Sequence, residues 1–459
     1  MRDSLSNLGD TVAEPLVASL APALPGLHAP APQLNLLQRL LYSGGLIGGY
    51  IADTAIVTWA MYYYAPPAGH GQALAPITWV AAALVFGRII DAVLNPVVGY
   101  WSDRSHDPRG RRIPFMARSA FPMAVAFIAL WSPPTHSASV FNGVYAALVI
   151  GLFYFCYTLY YCPHEALLPE ITGHGGERVS LSVLAAIFSV VATAFVGVAS
   201  GVLVERFGFR ATGWVLGLLA LPFLYGPVLA IREKPRGQAE DIDFTFREAV
   251  AATLRNRPFM LFEMSTVFTL LAQNVLVGAM PYIITVIVGG TESQMGLLMG
   301  GGLAVALASF PLSMKLAAKY GKARVYRASL FTGGLILTSL FFIGRLDIPF
   351  TALQQTMFIV ALSGVAFAPS MALPRAILAD TIDYEYELTG KRRSAMYIGI
   401  QGVLQKTAMA LAPAVLSVVF TVFGYSQAHP LGVYLVGPVG GLLFLGAWRV
   451  FSGYELRDG

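Results

Sequence analysis

The stretch ITWVAAALVFGRIIDAVLNPVVGYWSDR, residues 77–104, decides the fold. Up to Trp101 it is long enough to cross a bilayer, which takes about 20 residues of helix, and Arg88 and Asp91 are the only charged residues within it. Lipid gives an exposed backbone group no partner, so a run of this kind can be satisfied only as a helix or a closed barrel, and its length argues for helix. A charge held at that depth is expensive, so an ionisable residue there is a functional candidate by default.

Similar runs recur along the chain and predict twelve transmembrane helices, beginning near Leu37, Ile77, Pro114, Ser139, Val179, Thr212, Phe259, Gln294, Val325, Pro349, Ser394 and Pro430. Composition agrees. Of 459 residues, 56% are hydrophobic and only 12% charged, about half the charge share of a soluble domain. The net charge of +5 does not point to nucleic acid, because the basic residues sit in short loops rather than on one patch. Cys156 and Cys162 fall in one apolar run and indicate neither a disulfide framework nor a metal site.

Alternate loops differ sharply in charge. The set around Arg104 to Arg118, Arg178, Arg232 to Arg257, Lys315 to Arg327 and Lys391 to Arg393 holds most of the lysines and arginines; the opposite set holds Arg206, Arg210 and Arg345. The positive-inside rule makes the first set cytoplasmic and predicts a multi-pass protein of the cell inner membrane with both termini inside. Residues 1–35 read as a cytoplasmic tail, 36–231 as a six-helix bundle, 232–257 as a cytoplasmic linker and 258–459 as a second bundle. Pro163, Glu170 and Arg178 after the fourth span are echoed by Pro374, Asp380, Arg392 and Arg393 after the tenth. The expected fold is therefore an all-α polytopic membrane protein, twelve helices in two pseudo-symmetric six-helix bundles, with a cavity between them at mid-membrane.

Depth along each span singles out the chemistry. Asp91 lies about ten residues before Trp101 and Lys406 about twelve after Ser394, so both sit roughly 15–18 Å inside at 1.5 Å per residue, and Asp53 is comparably deep. Arg88, three residues before Asp91, shares its helix face. Either the two neutralise each other, or Asp91 exchanges a proton or cation. The fourth span is aromatic, with Phe153, Tyr154, Phe155, Tyr157, Tyr160 and Tyr161 around Thr158. Such a face suits a sugar ring or another amphipathic solute, and serves helix packing equally well. Glu165, Glu263 and Arg375 lie within about two turns of the basic ends, where snorkelling or gate pairing accounts for them. The loop Gly99-Tyr-Trp-Ser-Asp103-Arg104, followed by Gly110-Arg111-Arg112, resembles the signature loop of major facilitators and is read as a gate.

Three stretches carry a closer resemblance: Arg88-Ile-Ile-Asp91-Ala-Val-Leu-Asn95-Pro96-Val-Val-Gly99; Ala379-Asp380-Thr-Ile-Asp383-Tyr384-Glu385-Tyr-Glu; and Gln401 followed five positions on by Lys406. With Met61-Tyr-Tyr-Tyr64 at the end of the first span, they resemble the glycoside-pentoside-hexuronide:cation symporters, the melibiose-permease-like family of the major facilitator superfamily. The resemblance implies a coupling-cation site at Asp91, Asn95 and Thr158, with Lys406 beside it. The family's second acid is Asn95 here, which loses a charge and weakens a sodium site, since hard cations favour carboxylate oxygens. At the sugar site the family's first-helix acid falls at Tyr50, with Asp53 one turn away, its fourth-helix acid at Tyr161 and its fifth-helix arginine near Ala186. Galactoside specificity is therefore not supported.

The expectation is a secondary transporter that couples a sugar or glycoside to protons or sodium by alternating access. Solute contacts are assigned to Tyr50, Asp53, Arg88, Tyr157, Tyr161, Asn274, Gln401 and Lys406, and gating to Asp103, Arg104, Gly110, Arg111, Asp380, Asp383 and Arg392. No cofactor beyond the coupling ion is expected, no nucleic acid, and a monomer in lipid. Two rivals remain, a carrier of lysolipid-like amphipathic solutes and a non-transporting receptor on a transporter scaffold. An enzyme is disfavoured because no nucleophile-elbow, phosphate-loop or metal-ligand spacing occurs.

Overall fold

A computed structural model describes residues 34–172, 175–233, 253–389 and 394–454. Its helices are α1 (Leu36–Tyr64), α2 (Ile77–Asp103), α3 (Ile113–Leu130) and α4 (Val140–Ile171). Then comes one stretch, Gly175–Ala230, that Gly208 breaks into α5 and α6. The second half has α7 (Arg257–Tyr282, extended by a π turn at Ile283–Val288) and α8 (Glu292–Ala308, resuming as Phe310–Tyr320). It continues with α9 (Lys322–Ser339), α10 (Ala352–Ala372, resuming as Pro374–Thr389), α11 (Ser394–Phe423) and α12 (Leu431–Phe451). Twelve spans are thus present among the described residues. Gly208 makes its break with φ +76° and ψ 169°, a left-handed backbone that a side chain would strain. The breaks in α8 and α10 fall just before Pro311 and Pro374, because proline lacks the N–H for the helical ladder and restricts the residue ahead of it.

The duplication extends to the helix starts. Asn35 and Asn256 cap α1 and α7 by accepting from the N–H groups of Gln38 and Phe259, while Ser139 and Thr351 cap α4 and α10 through their hydroxyls. Equivalent helices of the two halves therefore begin with the same capping chemistry, each cap contributing about 1 kcal/mol. Large side chains such as Leu148, Phe358, Val418 and Leu442 stay exposed, as they must where the surrounding solvent is lipid.

The two halves meet at one end. The Tyr62 hydroxyl on α1 donates to Glu292 on α8 at 3.0 Å, and the Tyr282 hydroxyl at the end of α7 donates to the Ala65 carbonyl at 2.9 Å. The Ser293 N–H donates to Glu205 of α5 at 2.9 Å. Backbones touch here: a Cβ at Gly296 would come within 2.5 Å of the Val198 carbonyl oxygen, so only glycine permits that α5–α8 approach. Aromatic rings of Tyr62, Tyr282, Phe420 and Tyr425 fill the space between. At the opposite end, where Asp103 to Arg112 lie, the ion pairs found among the described residues stay within one half or reach Glu233 beyond α6. The molecule is closed on the first face; the second is called the basic face below.

Candidate functional site

Two ion pairs lie deep in the bundle. Asp91, 1% exposed, accepts from Lys406 Nζ and from the Thr158 hydroxyl through the same oxygen, Oδ1, at 2.8 Å each. Lys406 is on α11 and Asp91 on α2, so this contact joins the two halves. One turn towards the N-terminus of α2, Arg88 reaches across to Asp53 of α1, 2.9 Å away. The Tyr154 hydroxyl donates to the same Asp53 carboxylate at 2.8 Å, and the Tyr154 ring lies 4.6 Å beneath the guanidinium.

The Arg88–Asp91 neutralisation weighed from the sequence is thus not how these charges pair. They share a helix face, yet each finds an opposite charge on a different helix. Asp91 keeps Lys406 from the other half as its counter-ion, and Asp53 keeps Arg88 within its own half. Asn95 points its amide N–H at the Asp91 backbone carbonyl, 2.7 Å away, and lies 3.5 Å from Oδ1. So placed, it presents a donor rather than a spare oxygen ligand to the Asp91 carboxylate.

The residues assigned to solute divide. Asp53, Arg88 and Lys406 are themselves members of the two pairs, Tyr157 lies beside them against Tyr154, and Asn274 of α7 lines one narrow cavity with Arg88 and Tyr154. Tyr50 is 36% exposed and lies beside Asp53 and Ser189. Tyr161 is different. Its hydroxyl donates to the Gly45 carbonyl and accepts the Gly49 N–H, at 2.9 and 2.8 Å, so both of its roles go to fastening α4 onto α1. Gln401 also stands apart, donating to Glu263 at 2.9 Å. Tyr154 was visible only as one of the aromatic run; its position one turn before Thr158 was the available signal for its place between the pairs.

The gate loop is tied differently from the assignment made on sequence. Arg112 carries the pairing, to Asp103 at 3.1 Å and to Glu170 at 2.7 Å, and Arg111 joins it on Glu170 at 2.5 Å. Arg104 instead extends over the Tyr100 ring at 4.3 Å. Gly110, with φ +114°, leaves the room that the Glu233 side chain occupies, and Glu233 accepts the Arg112 N–H at 2.8 Å. In the second half, Asp380 pairs with Lys322 at 2.5 Å. Asp383 is exposed on the same helical segment; Arg392 lies outside the described residues. Glu233 and Lys322 were missed, and Glu170 entered only through the internal echo, because partners two or more helices apart leave no spacing in the sequence. Glu263 is a further correction, since it is fully buried and neither snorkels nor pairs at a gate.

Two helical halves, closed at one end and bridged at mid-membrane by a charge pair, define a membrane transporter. The chain matches the family described as MFS/sugar transport protein over residues 41–442 and belongs to it; it is a multi-pass membrane transporter and not an enzyme. It is 24% identical to the inner membrane symporter YicJ of Escherichia coli, over 86% of this chain and 85% of that protein. It is 21% identical to the isoprimeverose transporter of Lactiplantibacillus pentosus, over 85% and 81%. An uncharacterized symporter of Synechocystis matches at 30% identity, but over 165 residues, 29% of that protein's length. Among solved structures, the nucleoside transporter NupG superposes with a TM-score of 0.67 at 11% identity, covering 92% of this chain and all of NupG. A bacterial homolog of the lysosomal transporter Spinster, inward-facing and occupied, gives 0.64 at 12% identity, covering 91% and 95%.

Proposed function

We propose that this protein is a cation-coupled symporter of a sugar or glycoside, working by alternating access. The observation that carries the reading is the Asp91–Lys406 contact, a buried ion pair at mid-membrane whose two members belong to different halves. A proton or cation taken up at Asp91 competes with Lys406 for the same oxygen. With Asp91 neutralised, the bridge loses its electrostatic attraction, and Lys406 is free to meet solute or to withdraw as the halves rock. Coupling follows, because a ligand shifts a two-state equilibrium only by binding one state better.

The solute sits beside that bridge, among Asp53, Arg88, Tyr157, Asn274 and Lys406. Charged groups and amides hydrogen-bond sugar hydroxyls, and the Tyr157 ring offers an apolar face to the C–H side of a pyranose. Relatives named for isoprimeverose, for sulfoquinovose and for glycosides support a sugar over an amphipathic lipid-like solute. The Asn95 amide turned towards Asp91 favours the proton over sodium. The basic face is cytoplasmic, both termini are inside, the membrane is the cell inner membrane, and the arrangement described is inward-facing. The test is uptake of radiolabelled mono- and disaccharides and glycosides into proteoliposomes under imposed proton or sodium gradients. One gradient should drive accumulation, and Asp91→Asn should abolish it. Equal accumulation in wild type and Asp91→Asn removes the proposal.

A further inference from the structure

We infer that Glu263 on α7 is a second proton-binding site, in the half of the molecule opposite the Asp91 carboxylate. Three observations carry it. Glu263 is 0% exposed. One carboxyl oxygen accepts the Gln401 amide at 2.9 Å, and the other, Oε1, has no hydrogen-bond partner. Among the described residues no lysine, arginine or histidine lies within ion-pair distance of it.

The groups that do face it are uncharged. Gln401 and Gln405, one turn apart on α11, turn towards its carboxyl, and α9 contributes the Tyr326 phenol. Ser265, Thr266 and Thr269 of its own helix lie about the Tyr326 hydroxyl, and neither α10 nor α12 brings a charge that acts on it. An ionised carboxylate in such a place costs several kcal/mol unless it is paired. The neutral acid costs far less, and an oxygen without a donor is where its proton sits. In the arrangement described, Glu263 therefore holds one proton on Oε1, converting –COO⁻ to –COOH and raising the charge of this half by one.

Position makes the site usable. Gln401, which donates to Glu263, is half-exposed, and Lys406 follows Gln405 directly on α11. Withdrawal of the Gln401 amide from Glu263, by a shift of α11 against α7 within the second half, is the step that opens the site. The carboxyl is then uncovered towards the basic face, where its proton leaves to water. The coupling role rests on the symport proposed above; the proton site itself does not.

The experiment separates the two. Full-length protein in lipid, without any sugar, is taken through a pH titration in infrared difference spectroscopy, reading the C=O stretch of protonated carboxyl groups. The expected result is a titrating band that is lost in Glu263→Gln and kept in Asp91→Asn. Should Glu263→Gln not fold, Glu263→Asp serves, and it is expected to shift the band. A band unchanged by both Glu263 variants overturns the site. A band assigned to Glu263 in a protein that moves sugar with neither proton nor sodium accompanying it would leave the proton site standing and remove symport instead.

Discussion

Replacing Lys406 by methionine tests the ion pair that bridges the halves. Asp91 is 1% exposed, and two of the donors on its Oδ1, Lys406 and Thr158, lie 2.8 Å away. Lys406→Met removes the positive charge and keeps the aliphatic stem, leaving a buried carboxylate with only neutral donors. Breaking one side of a buried pair costs about 3–5 kcal/mol; the Lys406 side chain is 28% exposed, which brings the expectation to about 2–3 kcal/mol. Asp91→Asn strands the ammonium, but part exposure lets it hydrate, so its cost is about 1–2 kcal/mol. The double variant Asp91→Asn with Lys406→Met strands neither charge. It should be more stable than Lys406→Met alone, giving a coupling energy of roughly 2 kcal/mol in the cycle. Denaturant unfolding in detergent micelles, followed by tryptophan fluorescence, reads all four proteins. Additive losses, with the double variant the least stable by the sum of the two, would refute the pairing.

Other outcomes follow from the same geometry. Arg112→Ala, which removes the partner of Asp103 and leaves Glu170 with Arg111 alone, should lower stability by about 2 kcal/mol, while Arg104→Ala should stay within about 0.5 kcal/mol; thermal scans of the two variants rank them. Asp107 is held below the usual carboxylate range by its hydrogen bonds from Arg109, with Arg118 also facing it. Its contribution to the loop is therefore present above the unfolded value and lost as pH falls through the lower folded one, so Asp107→Asn should matter at neutral pH and not in strong acid. Gly49→Ala would set a Cβ 2.1 Å from the Tyr161 hydroxyl and should destabilise by about 1–3 kcal/mol, seen as a lower unfolding midpoint. Tyr62→Phe removes the hydroxyl that meets Glu292 across the closed face, a bond of about 1 kcal/mol. It should raise thiol labelling of a cysteine placed at Ser293 several-fold, and unchanged labelling would mean that this bond does not hold the face shut.

How much was legible follows from what each feature depends on. The helices were readable because lipid leaves the backbone so few alternatives, and each apolar run had to be about one bilayer long. The helix start read at Ile77 coincides with the observed one, and the merger of α5 with α6 across Gly208 is a matter of one residue. The gathering of Asp91, Thr158 and Lys406 was legible through resemblance, supported by their equal depth. Pairing was not. Arg88 and Asp91 are neighbours on one helix face, and sequence spacing says nothing of Asp53 arriving from α1 to take the arginine. Arg112 and Arg111 are adjacent in sequence, and only the turn around Glu233 decides which is buried. Glu263 lies about two turns into its helix, a depth from which a side chain usually reaches water; α9 and α11 close over it, and no local pattern encodes that cover.

The most direct test of the account is ion movement driven by solute. Proteoliposomes at equal internal and external pH and sodium, loaded with a fluorescent pH indicator, receive a sugar that the uptake panel has identified. The account predicts internal acidification that begins with sugar addition, scales with sugar flux and is absent in Asp91→Asn. Sugar entry with neither proton nor sodium following it would contradict coupling at the bridge between the halves.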